Sequence, residues 1–122
     1  MAKTIMIVDD SASLRQVVAI ALKGAGYEVT EACDGKDALG KLNGQKIHLI
    51  ISDVNMPNMD GITLVQELKK LPSYKFTPVI MLTTEAGEDK KSAGQAAGAK
   101  AWVVKPFKPE QMLTAVAKLV LP

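Results

Sequence analysis

The sequence predicts an α/β domain built as a doubly wound, five-stranded parallel sheet with helices on both faces. Three observations lead there. Short apolar runs alternate strictly with helix-period segments, the pattern of a parallel sheet covered on both sides. The 122 residues are the size of one ordinary domain, and 48% of them are hydrophobic, enough for a real core. Acids, a hydroxyl and a lysine stand at the ends of the apolar runs. Right-handed crossovers gather those ends on one edge, where open α/β sheets bind ligands.

The elements follow in order. Thr4 to Val8 is a compact β-branched run, a buried strand that ends on Asp9-Asp10. Ser11 can cap a helix from Ala12, because its hydroxyl can accept a free N-terminal N–H. Leu14, Val17, Val18, Ala21 and Leu22 recur at helical spacing until Gly24 and Gly26 stop the helix. Tyr27 to Ala32 is the second strand, Asp34-Gly35 a turn, and Lys36 to Leu42 a short helix stopped by Asn43-Gly44. Ile47 to Ser52 is the third strand, with His48 inside it. Asp60 stands at an N-cap position, and Ile62, Leu64, Val65, Leu68 and Leu71 form a helical stripe that Pro72 ends. Pro78 opens a fourth strand, Val79 to Thr83. Glu85 to Ala97 reads as a helix of weak apolar content. Ala101 to Val104 is the fifth strand, and Pro109 suits the first turn of a last helix carrying Met112, Val116, Leu119 and Val120.

Composition excludes several functions. The net charge of +2 and the scattered or paired lysines give no basic stripe, so no nucleic-acid surface is expected. Cys33 is the only cysteine, which rules out an internal disulfide and a cysteine metal cluster, and it reads as a small buried or half-buried hydrophobe. The apolar runs are too short to span a bilayer, and the N-terminus is not a signal peptide. A soluble cytoplasmic protein without membrane attachment is expected.

The chemistry gathers at the strand ends. Strand one gives Asp9 and Asp10, strand three Asp53, strand four Thr83, strand five Lys105. Crowded carboxylates repel one another, and a hard divalent ion relieves that repulsion. Mg²⁺ takes oxygen ligands, often one or two carboxylates plus a phosphate, and keeps several waters. Lys105 is a point charge suited to a phosphoryl oxygen, and Thr83 can donate one hydrogen bond. The set describes a phosphoryl-transfer site with an aspartate nucleophile. Asp9-Asp10 alone also fits an acid pair at a helix N-terminus. Five such residues together at the strand ends do not reduce to capping.

Four motifs, Val8-Asp9-Asp10, Ser52 through Gly61, Met81-Leu82-Thr83 and Val104-Lys105-Pro106-Phe107, resemble the receiver domain of two-component response regulators, most closely the chemotaxis type. The resemblance covers essentially the whole chain, residues 1–122, as a single domain. It implies the flavodoxin-like strand order 2-1-3-4-5. By the same resemblance Asp53 is the phosphoacceptor. Asp10 and Asp53 ligate Mg²⁺ directly, Asp9 through water and Asn55 through its backbone carbonyl. Thr83 and Lys105 hold phosphoryl oxygens, and the Lys105-Pro106 bond is cis. Asn55 and Glu85 modulate dephosphorylation. Trp102 stands where the family has Tyr or Phe, and it forms the switch together with Thr83. Thr84 replaces a smaller alanine of the chemotaxis type.

The function implied is a phosphorylation-activated signalling domain. It accepts phosphate from a histidine kinase, a chemotaxis type being expected, and catalyses only its own phosphorylation and hydrolysis. The chain ends directly after the last helix, so no fused effector is expected. Output then goes to a separate protein such as a flagellar motor switch protein, with a phosphatase as a further partner and the domain itself a monomer. One alternative is a phosphorelay intermediate or phosphate sink. Another is a Mg²⁺-dependent phosphohydrolase, for which the sequence offers no cap insertion. His48 reads as a packed or rim histidine, and Lys90-Lys91 as a solvated face.

Overall fold

The computed structural model describes residues 3–42, 45–53, 59, 61–83, 101–104 and 109–120, with the backbone alone for Thr83, Ala101, Trp102, Val104 and Pro109. The described elements are β1 (Thr4–Val8), α1 (Ala12–Gly24), β2 (Glu28–Ala32), α2 (Gly35–Leu42), β3 (Leu49–Asp53), α3 (Gly61–Lys69), β4 (Val79–Thr83), β5 (Ala101–Val104) and α4 (Pro109–Leu119). Among the described residues the five strands form one parallel sheet in the order β2-β1-β3-β4-β5. The expected helix over 85–97 lies outside the described residues.

Strand alternation sorts the core into two layers. Side chains two apart share a face of a sheet. Met6, Val8, Ile50, Val79 and Met81 therefore pack with Ala38 and Leu42 of α2 and with Leu64, Val65 and Leu68 of α3. Ile5, Ile7, Leu49, Ile51, Ile80 and Leu82 pack on the opposite face with Val18, Ala19 and Leu22 of α1 and with Met112 and Val116 of α4. Both faces are covered, so the central strands read as continuous apolar runs. Fully burying each such side chain contributes about 1.5–3 kcal/mol.

Local chemistry sets the ends of the elements. The Ser11 hydroxyl accepts the Leu14 amide at 3.3 Å and caps α1. Past Gly24 the chain reverses at Gly26, whose φ of 95° a side chain would strain. Asp34, expected as a plain turn residue, caps α2: its Oδ1 accepts the Asp37 amide at 2.8 Å and its carbonyl accepts the Ala38 amide at 3.0 Å.

Some boundaries depart from expectation. β2 begins at Glu28 rather than Tyr27, and Tyr27 packs beside the α1 layer. β3 starts at Leu49, so His48 lies before the strand rather than inside it. Its amide donates to the Thr4 carbonyl at 2.8 Å, and its Nδ1 accepts the Thr4 amide at 3.0 Å. The imidazole thus takes the place of a backbone acceptor and closes the ladder. α3 stops at Lys69, which leaves Leu71 outside the stripe and 36% exposed. Pro72 disfavours helix in the residue before it. Tyr74 enters the core instead, and its hydroxyl lies in hydrogen-bond reach of the Leu42 and Gln45 carbonyls.

Candidate functional site

β1 ends at Val8 and pairs with Ser52 of β3, so Asp9 follows β1 just where Asp53 completes β3. Asp53 in turn is paired with Leu82, one residue before the end of β4, and Thr83 is paired with Val104. Register alone therefore brings the backbones of Asp9, Asp53, Thr83 and Val104 to the carboxyl edge of the sheet. Each of Asp9, Asp10 and Asp53 offers a carboxylate oxygen, and these oxygens all lie within 4.8 Å of one another. Asp9 and Asp53 are buried and Asp10 is exposed, so the cluster opens to solvent on one side.

The backbone around these acids is held tightly. The Asp9 amide donates to the Ala32 carbonyl at 3.1 Å, and the Ser11 amide donates to Asp9 Oδ1 at 2.8 Å. The Ser52 hydroxyl, fully buried, donates to the Asp53 carbonyl at 2.9 Å. That carbonyl also faces Gly61 at the start of α3. A Cβ on Gly61 would lie 2.1 Å from it, so only glycine lets the helix start this close. Met59, between Asp53 and Gly61, rests on Gly35, where a Cβ would meet the Met59 Cγ at 2.7 Å. The start of α2 thereby lies directly against Met59.

The donor set is all oxygen, compact and open on one side. Two unit charges within this spacing repel by about 3.5 kcal/mol or more at an effective dielectric of ~20. A divalent cation with a partial water shell matches that arrangement. Of the other candidates, the structure places Thr83 at the end of β4 and Trp102 in β5, paired with Met81. Asn55, Glu85, Lys105 and the Lys105-Pro106 bond lie outside the described residues. His48 lies near Thr4, at the opposite end of the strands from the acids. Cys33 is exposed, contrary to the expectation of a half-buried hydrophobe. Local desolvation, then the hydrogen-bonded Asp37 and the charge of Asp34, push its thiol up.

Sequence reasoning passed over Arg15. Its Nη1 donates to the Asp9 carbonyl, and its Nε pairs with Glu31 Oε1 of β2 at 3.2 Å. One signal was available: Arg15 is the only arginine among fifteen basic residues. In the sequence Ser52 and Gly61 stand out only as the ends of a motif, Ser52 also as the last residue of a strand.

A parallel sheet of this order with acids clustered on its carboxyl edge is the architecture of a receiver module. The chain belongs to the response regulator receiver domain family, whose pattern matches residues 5–117. It is similar to the Vibrio cholerae chemotaxis protein CheY4, at 46% identity and a TM-score of 0.93, covering 98% of this chain and 99% of that one. It is 36% identical to Protein PilG of Pseudomonas aeruginosa over 112 residues, 92% of this chain and 83% of PilG. It is 40% identical over 111 residues, 91% of its length, to the Phosphate regulon transcriptional regulatory protein PhoB of Pseudomonas aeruginosa, and the match spans about half of PhoB, 48%. Receiver domains are signalling domains of two-component systems, which implies a histidine kinase upstream and a target downstream. No helix among the described residues is long and apolar enough to cross a membrane.

Proposed function

We propose that residues 1–122 act as one receiver unit in which Asp53 accepts a phosphoryl group from a histidine kinase and thereby changes partner binding. The observation that carries this reading is the cluster of Asp9, Asp10 and Asp53 at the carboxyl edge of the sheet. Asp9, Asp10 and Asp53, with the Asn55 carbonyl, would hold Mg²⁺. Bound there, the ion would offset negative charge on the acids and the incoming phosphoryl oxygens. An Asp53 carboxylate oxygen bonds to phosphorus as the P–N bond of the phosphohistidine breaks, and the electron pair leaves with the imidazole. Thr83 and Lys105 hold phosphoryl oxygens, and Asn55 and Glu85 set the rate of hydrolysis. The reaction is self-directed; the output is binding.

The near full-length likeness to CheY4 supports a chemotaxis-type role; we infer further a monomer that acts in the cytoplasm on a separate protein such as a flagellar motor switch protein. A relay or phosphate-sink role is the second reading. The test of the site is incubation with a small phosphodonor and Mg²⁺, followed by trapping of the acyl phosphate for mass spectrometry. Label on Asp53 that disappears in Asp53→Asn is expected. Undiminished label at another residue of that variant sinks the assignment. A pull-down with and without beryllofluoride separates the outputs: a motor switch protein captured only in the activated form supports the first, a histidine phosphotransfer domain the second.

A further inference from the structure

We propose that Arg15 is a positioning residue for the cation site, acting through the peptide that joins Asp9 to Asp10. This rests on the reading of the three acids as a cation site. Asp10 is the exposed member of the cluster, and none of the hydrogen bonds or ion pairs found among the described residues involves its carboxylate. With no such partner, the constraint on where its side chain starts out comes from its backbone, which sets the Cα–Cβ bond. The peptide unit before Asp10 consists of the Asp9 carbonyl and the Asp10 amide, and the Arg15 Nη1 holds that carbonyl. The peptide after Asp10 is fixed separately by the Ser11 amide on Asp9 Oδ1. With the planes on both sides of its Cα set, the Cα–Cβ bond of Asp10 has its direction before any ion arrives.

The guanidinium is itself aimed. Glu31 of β2 takes its Nε at 3.2 Å, and the side chain of Arg15 is only 18% exposed. The Glu31 backbone carbonyl accepts the Lys41 Nζ at 2.6 Å, which ties this stretch of β2 to α2. A planar fork can serve a carboxylate and a carbonyl at once, in a fixed relation; a lysine ammonium cannot do so with the same geometry. This accounts for the one arginine of the chain standing here. Groups behind the direct ligands typically change metal affinity by 10–100-fold when removed.

The sign of the effect separates positioning from plain charge. If Arg15 served only as a nearby positive charge, its removal would tighten binding of a divalent cation. Positioning requires the opposite. The test is Mg²⁺ affinity of the full chain by calorimetric titration, with the Asp10 amide followed by ¹⁵N NMR in metal-free protein. Arg15→Gln is expected to weaken Mg²⁺ binding roughly 10-fold and to move the Asp10 amide resonance before metal is added. Arg15→Lys should recover part of the affinity. Glu31→Gln keeps the arginine and its fold, and should weaken binding in the same direction by a smaller factor. That variant carries the test if Arg15→Gln does not fold. Asp10→Asn is the reference: Mg²⁺ binding that survives it removes the cation-site reading and this inference together. Binding lost in Asp10→Asn but unchanged or tightened in the Arg15 and Glu31 variants overturns this inference alone.

Discussion

Gly61→Ala perturbs the site through a single methyl group. The added Cβ would stand 2.1 Å from the Asp53 carbonyl oxygen, 3.1 Å from its carbon and 2.8 Å from the Met81 methyl. The methionine tip can turn aside, but the carbonyl is backbone in a central strand and already accepts the Ser52 hydroxyl. Relief needs α3 and β3 to separate by about 1 Å, and overpacking of this kind costs roughly 1–3 kcal/mol. Alanine recovers part of this, up to ~1 kcal/mol, as the better helix former. A net loss of about 1–2 kcal/mol lowers the Tm of a chain this size by roughly 4–8 °C. The larger effect falls on chemistry, since a misplacement of about 1 Å at a reacting group can cost ~100-fold in rate. The assay pairs thermal unfolding with the rate of Asp53 phosphorylation from a small donor. Leu64→Ala is the comparison: Leu64 is fully buried in α3, so a cavity there costs about 2–5 kcal/mol without touching Asp53. Gly61→Ala should lose rate out of proportion to its stability, and Leu64→Ala should not. A Gly61→Ala protein with unchanged Tm and phosphorylation rate would refute the close approach on which this reasoning depends.

Three further outcomes are expected. Tyr74→Phe removes the hydroxyl that serves the Leu42 and Gln45 carbonyls, and urea unfolding should show a loss of about 1 kcal/mol. Burial, followed by the charges of Lys3 and Lys46, holds His48 below its ordinary value of 6.5. The unfolded chain then takes up the proton first, so stability should be intact above that value and fall as pH drops through it towards the folded value. Urea midpoints between pH 8 and pH 5, about the ordinary histidine pKa, should show this slope in the wild type and less of it in His48→Gln. Trp102 is the only tryptophan, so its emission reports β5 alone. If Trp102 is the switch residue that the family resemblance implies, it should show a modest blue shift and partial loss of quencher access with Mg²⁺ and beryllofluoride. No change, with mimic binding confirmed independently, removes Trp102 from the switch.

Much of the arrangement is written locally. The alternation of Ile5, Met6, Ile7 and Val8, with its counterparts in β3 and β4, commits each strand to two buried faces, because side-chain direction has a period of two whatever lies opposite. The Ser11 cap depends only on residues three apart. The acids at the ends of β1 and β3 were legible as a site for a similar reason: parallel strands joined by right-handed crossovers must end on one edge. Those features rest on backbone geometry and on neighbours within a few residues, and the sequence by itself determined them.

What the tertiary structure decided depends on residues far apart in the chain. Gly61 reads as no more than the last residue of a motif until the Asp53 carbonyl is found against its Cα. Arg15 reads as one helix cation among many until Glu31 and the Asp9 carbonyl are found on either side of its guanidinium. Tyr74 lies in a turn, and nothing local predicts that its hydroxyl finishes by the carbonyls of Leu42, the last residue of α2, and of Gln45. His48 has apolar neighbours in sequence, yet its Nδ1 is spent on the Thr4 amide because β3 comes into register one residue later. In each case the deciding partner belongs to another element. Its distance is set only when the sheet twists and the helices settle on it, and no period along the chain encodes that distance.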